Sequence, residues 1–150
     1  MKLVKNMVVK SKVDSPGDSS SVQWKIIDAK QKNVGRLAAE IAVILMGKNK
    51  ASYNKNLDSG DYVIVINASE VEISGNKHSQ KKYYHHSGYH GGLREQTFDD
   101  LMRLYPDRVI TSAVKGMLPK NKLGRKIIKK LKVYSGSEHP HSAQINQIDS

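Results

Sequence analysis

A continuous apolar run, Tyr62-Val63-Ile64-Val65-Ile66, constrains this chain more than any other feature. A strand with one wet face alternates apolar and polar residues, whereas a short unbroken run suits a strand buried on both faces. Such strands belong to parallel sheets covered by helices. The sequence upstream supplies the rest of a parallel unit. Trp24-Lys25-Ile26-Ile27-Asp28 reads as a first short strand. Val34, Leu37, Ala38, Ile41, Ala42 and Leu45 then recur at helical spacing. Asn33 is a suitable N-cap, Arg36 and Glu40 lie one turn apart as a pair, and Gly47 ends the helix. A basic, polar loop, GKNKASYNKNLDSGD, leads into the apolar run. Strand, helix and strand make a βαβ unit, and the fold class is α/β.

Downstream, the pattern predicts a helical turn and a strand between Asn67 and Gly75, with Gly75-Asn76 turning the chain. Tyr83-Tyr84-His85-His86 reads as a strand running into a glycine loop. Thr97-Phe98-Asp99-Asp100 opens a helix in capping-box style, with Phe98, Leu101 and Met102 on its buried face. Pro106 fits the first turn of another helix, whose face is Val109, Ile110, Ala113, Val114 and Met117. Lys122 to Leu131 reads as a third, strongly basic helix, and Val133-Tyr134 as a last strand. With 150 residues, 38% of them hydrophobic, the chain suits one domain with a lean core. That domain is expected over residues 23–150, ending in a polar tail. Residues 1–22, where Pro16-Gly17 precedes three serines, read as a disordered extension.

The formal charge is +11, and it is unevenly spread. Residues 1–23 and 24–107 each carry a net +2, and the last sixteen residues carry −2. Residues 108–134 hold nine basic side chains and no acidic one. A solvated helix face normally mixes both signs, so this stretch points to a polyanion such as nucleic acid. Other function classes lack the residues they need. Cysteine is absent, which removes disulfides and thiolate chemistry. No GxGxxG, GxxxxGK[ST] or GxSxG pattern occurs, and Asp58 and Asp61 read as loop and strand-entry residues, not as an acid pair. His85, His86 and His90 are close in sequence, but Ser87-Gly88 between them disfavours the helix an i,i+4 metal pair requires. A membrane-surface role is disfavoured because Leu123, Ile127, Ile128 and Leu131 are needed for packing.

From Trp24 to about Gln144 the chain resembles the large-ribosomal-subunit protein L-thirteen family, of bacterial or organellar type. The resemblance is carried by WKIIDA, VGRLAAEIA with MGKNK, DSGDYVIVINA and the turn SGNK. It continues through KKYYHHSGYHGGL, AVKGMLPKNKLGR, LKVYSGSEHPH and the closing AQ, in order and at the family's spacing. The first 22 residues depart from the family, whose members start close to the tryptophan. The resemblance implies a three-layer α/β/α fold around a four-stranded, mainly parallel sheet. It also implies a non-enzymatic constituent of the large ribosomal subunit, acting in translation and early in subunit assembly. The partners it implies are 23S-type rRNA and neighbouring large-subunit proteins, with no cofactor, small-molecule substrate or membrane. The location is then the cytoplasmic ribosome, with an organellar ribosome as the alternative.

On that reading three groups of residues are expected to contact rRNA. The first is Lys115, Lys120, Lys122, Arg125, Lys126, Lys129, Lys130 and Lys132, gathered near one end of the domain. The second is Lys48 and Lys50, in the loop after the first helix. The third is Lys77, Lys81 and Lys82 with Tyr83, Tyr84, His85 and His86, whose rings can stack on bases or donate to riboses and phosphates. Arg36 and Arg94 rank behind these, since either can serve intramolecular pairing.

Overall fold

In the computed structural model, which describes residues 22–146, the chain opens with β1 (Trp24–Asp28) and α1 (Val34–Met46). All but the last residue of the expected extension over residues 1–22 lies outside the described residues. Asn33 caps α1, its side chain accepting from the Gly35 amide at 3.1 Å. Gly47 closes the helix in the left-handed conformation, at φ 72°. The apolar run then forms β2 (Tyr62–Ile66), paired with β1 in parallel. Next come α2 (Lys77–Gln80), the strands β3 (Lys82–His86) and β4 (Leu93–Thr97), and α3 (Phe98–Leu104). The helices α4 (Pro106–Met117) and α5 (Lys122–Ile127), the strand β5 (Leu131–Val133) and α6 (Ser142–Asn146) complete the order. The Thr97 capping box and the proline at the start of α4 are both present.

The sheet order is β1-β2-β5, all parallel, with β2 in the middle. Its central residues Val63, Ile64 and Val65 are fully buried, as the run requires. The two faces are covered differently. Ile27, Val63, Val65 and Leu131 join one core with Leu37, Ile41 and Leu45 of α1 and Val109, Ile110 and Val114 of α4. Both helices therefore sit on the same face, where each fully buried aliphatic side chain contributes roughly 1.5–3 kcal/mol. On the opposite face Trp24 stacks on its strand partner Tyr62, ring centroids 4.3 Å apart. The C-terminal segment lies across this side. His141 is 5.3 Å from the Trp24 ring and 2.8 Å from the Tyr134 hydroxyl, and α6 packs against β1.

Several expectations need correction. The described sheet has three parallel strands, not four. The strand expected before Gly75 shrinks to one bridge between Glu72 and Asn33, because Glu72 meets the chain after it has left β1. The remaining strands, β3 and β4, form a separate antiparallel ribbon. Their connection is too short for a parallel crossover. The basic helix is shorter than its pattern: α5 stops at Ile127, residues 128–130 tighten into a 3-10 turn, and Leu131 pairs with Val63. Edge pairing on β2 thus overrides the helical periodicity. Glu40 faces Lys32 at 3.8 Å, in place of the expected partner Arg36. The C-terminal segment, though polar, is docked: Ser69 donates to the Ser135 carbonyl and the Asn67 amide to that of Gly136.

Candidate nucleic-acid interface

Loop 47–61 leads into β2 and residues 118–130 lead into β5, and these strands are parallel neighbours. Both lysine-rich stretches therefore lie at the end of the sheet where the strands begin. The loop is folded back tightly onto α1. A Cβ on Gly60 would fall 1.7 Å from the Leu45 carbonyl oxygen, so only glycine fits there. The next residue, Asp61, is fully buried. Its carboxylate accepts from the Gln23 amide at 3.1 Å and pairs with Lys25 at 2.9 Å and with Lys50 at 2.5 Å. Burial by itself would push the Asp61 carboxyl up; the Lys50 and Lys25 ammonium groups and the Gln23 amide outweigh it and hold it below the ordinary carboxylate value.

A second internal cation pins the same loop. Lys130 is 9% exposed, and its ammonium donates to Asp58 Oδ1 at 2.7 Å and to the Gly60 carbonyl at 2.9 Å. The Tyr62 ring lies 5.6 Å away. Two of the expected rRNA contacts therefore have their charge engaged inside the protein. Lys50 serves Asp61, and Lys130 ties β5 to the loop ahead of β2. The reason is proximity in space to Asp58 and Asp61, which lie about seventy residues from Lys130 in sequence. Lys48, by contrast, is exposed and pairs with no carboxylate among the described residues.

The acid-free stretch behaves differently. Of its nine cations, Lys130 alone has a carboxylate partner among the described residues. Lys115, Lys120, Lys122, Arg125, Lys126 and Lys129 are exposed, and Lys132 is half-buried on the face of the sheet opposite α1. The turn that carries Lys120, Lys122, Arg125 and Lys126 is well built. Asn121 caps α5, accepting from the Gly124 amide at 2.8 Å, and Gly124 is buried so close to Pro119 that a Cβ would sit 1.8 Å from its carbonyl oxygen. Its cations are thus held on a rigid support with no internal neutralisation.

The third group sits on the β3–β4 ribbon and α2, reached from the end of the sheet where β2 finishes. The structure does not bring it to the other two groups through any shared element. Strand alternation splits its residues between two faces. Tyr83 is half-buried against the core with Lys81 5.2 Å above its ring, while Tyr84 is 62% exposed. Lys82 donates to Glu95 at 2.8 Å, which raises its pKa and offsets its charge. Lys77, His85 and His86 are exposed, and the His86 Nδ1 accepts from the Gly88 amide.

Sequence reasoning passed over Lys55 and Arg108, both exposed and without a carboxylate partner among the described residues. Arg108 lies 4.1 Å from the Tyr105 ring. The lysine-rich loop and the acid-free count contained the signal for both. Arg36 and Arg94 are likewise exposed and form no ion pair among the described residues. Among those residues no helix is long and apolar enough to cross a membrane, and no three potential ligands gather as a metal site would need.

Comparison with known proteins adds an independent finding. A family model described as ribosomal protein L13 matches residues 22–140. A large ribosomal subunit protein uL13 of Thermosynechococcus vestitus is 59% identical over 127 residues, 85% of this chain and 84% of the relative. The uL13 protein of Hahella chejuensis is 55% identical over 121 residues, covering 81% and 85% of the two chains. That of Prochlorococcus marinus is 50% identical over 131 residues, 87% of each.

Proposed function

The chain belongs to the ribosomal protein L13 family, and from that premise we propose that it is a structural component of the large ribosomal subunit that binds 23S-type rRNA. Members of this family are structural, not enzymatic, and serve translation. The observation that carries the rRNA reading is the acid-free segment, eight of whose nine cations have no carboxylate partner among the described residues. Phosphates are the natural counter-charge for such a field. Lys115, Lys120, Lys122, Arg125, Lys126, Lys129 and Lys132 form the main contact, extended by Arg108 and, from the adjacent loop, by Lys48 and Lys55. Contacts of this kind go chiefly to phosphate and 2′-hydroxyl groups, so they follow RNA shape more than sequence. They would hold separated rRNA segments together by screening their repulsion, which suits an early place in subunit assembly.

The ribbon forms a second, chemically distinct contact. Its charge is partly offset by Glu95, so Tyr84, His85 and His86 contribute ring stacking and hydrogen bonds there, with Lys77 and Lys81 as the cations. Neighbouring large-subunit proteins complete the surroundings. The protein resides wherever its ribosome does, in the cytoplasm or in an organelle.

Two measurements test this reading. Sucrose-gradient sedimentation of cell extract should place the protein with the large subunit through a high-salt wash. Recovery only in free fractions would favour a regulator acting off the ribosome. Filter binding to a 23S-type rRNA transcript should give a slope of log K against log salt of roughly −3.5 to −4.5, for about five phosphate contacts. A slope near zero would remove the phosphate contacts altogether.

A further inference from the structure

Between α4 and α5 the surface opens into a groove of about 520 Å³. Its apolar wall is Leu118, Pro119 and Ile128, and its cations are Lys115, Lys120 and Arg125. Gly116 also lines it, and a Cβ built there meets nothing within 4 Å, so the groove is open where a side chain would otherwise stand. We infer that this groove receives one unpaired nucleotide of the rRNA, its base against the apolar wall and its flanking phosphates at the three cations. This rests on the rRNA-binding reading above and adds to it a specific, partly apolar contact.

Three features select a nucleotide. The volume is of the size that holds a single small ligand. An apolar patch bordered by cations complements a flat, weakly polar base carried on an anionic backbone. Outside the groove the exposed Lys122, Lys126 and Lys129 follow Arg125 on and just after α5, a field that extends the positive charge beyond the groove itself. An acidic peptide would use the groove but would leave that longer field uncovered.

Filling the groove without touching a charge tests the inference. Gly116→Phe places a ring in it, and because glycine is a poor helix residue the substitution is tolerated in α4. Ser112→Leu fills it from the preceding turn of the same helix. With thermal melts confirming the fold, both variants should bind a 23S-type rRNA transcript about tenfold more weakly. Their salt slope should equal that of the unsubstituted protein, since no phosphate contact is lost. Undiminished binding by both filled variants would overturn the nucleotide while leaving rRNA binding intact. A slope shallower by about 0.7–0.9 would also overturn it, showing only a displaced cation. Normal rRNA binding with failed incorporation into protein-containing particles would assign the groove to a protein segment instead. Absence of binding by the unsubstituted protein would overturn the rRNA reading itself.

Discussion

Loop 47–61 and the segment from Arg108 to Tyr134 meet at one end of the sheet, and both are rich in lysine, yet they use it in opposite ways. The loop contains Asp58 and Asp61, and these carboxylates engage Lys25, Lys50 and Lys130, the last of them buried. The segment contains no acid, so its cations find no carboxylate among the described residues unless the loop reaches them. Only Lys130 is within reach, and it is turned inward, while Lys129 beside it is exposed. The contrast shows that a lysine serves the fold or the surface according to the nearest carboxylate in space. A buried ion pair adds little net stability when complete, but removing one partner strands the other charge. The loop is therefore sensitive to single substitutions in a way the segment is not.

The largest expected effect tests the loop at its centre. Asp61→Asn leaves Lys25 and Lys50 without their shared counter-charge and should cost about 3–5 kcal/mol in urea unfolding. A loss under about 1 kcal/mol would mean the lysines re-partner with solvent, and the contrast between the regions would weaken. The same carboxylate sets a pH dependence. Its folded pKa is lowered, so its contribution is fully present above the unfolded carboxylate value and is lost as pH falls through the folded one. Asp28 and Asp100, also lowered, share that acid limb. Hence Asp61→Asn should flatten the fall in stability on acidification, not abolish it, in melts from neutral pH into the acid range.

Next in size is Gly60→Ala. Its Cβ must displace the Leu45 carbonyl, and unfolding should show a loss of roughly 1–3 kcal/mol. Lys130→Ala should follow, at about 2 kcal/mol, because Asp58 and the Gly60 carbonyl lose their partner. Its salt slope for rRNA should not change, which separates it from a phosphate contact. Lys129→Ala is the smallest change in stability, within about 0.5 kcal/mol, but it should make the salt slope shallower by roughly 0.7–0.9. If the two neighbouring lysines gave the same pair of readings, the division between interior and surface cations would fail.

Much of this architecture was legible because it is written locally. The Asn33 cap, the Gly47 stop, the Thr97 capping box and Pro106 at the start of α4 each act within one helical turn. The run in β2 announced burial on both faces, and the missing acids of the 108–134 stretch announced its charge. The strand β4 was hidden because LREQT is largely exposed and polar and becomes a strand through its pairing with β3. The end of α5 was hidden because Ile127 and Leu131 keep helical spacing while lying on different elements.

By itself, then, the sequence determined the βαβ start, the caps of α1, α3 and α4 and the location of the unopposed positive charge, since these depend on neighbours along the chain. Tertiary structure alone decided that the C-terminal segment lies on the opposite face of the sheet, that β5 joins β1 and β2 as the third parallel strand among the described residues, and that Lys50 and Lys130 face inward. Each of those outcomes turns on groups far apart in sequence meeting in space: Trp24 with His141, Val63 with Leu131, Asp58 with Lys130. A buried charge must find its partner wherever the fold brings one, and no local pattern records where that will be.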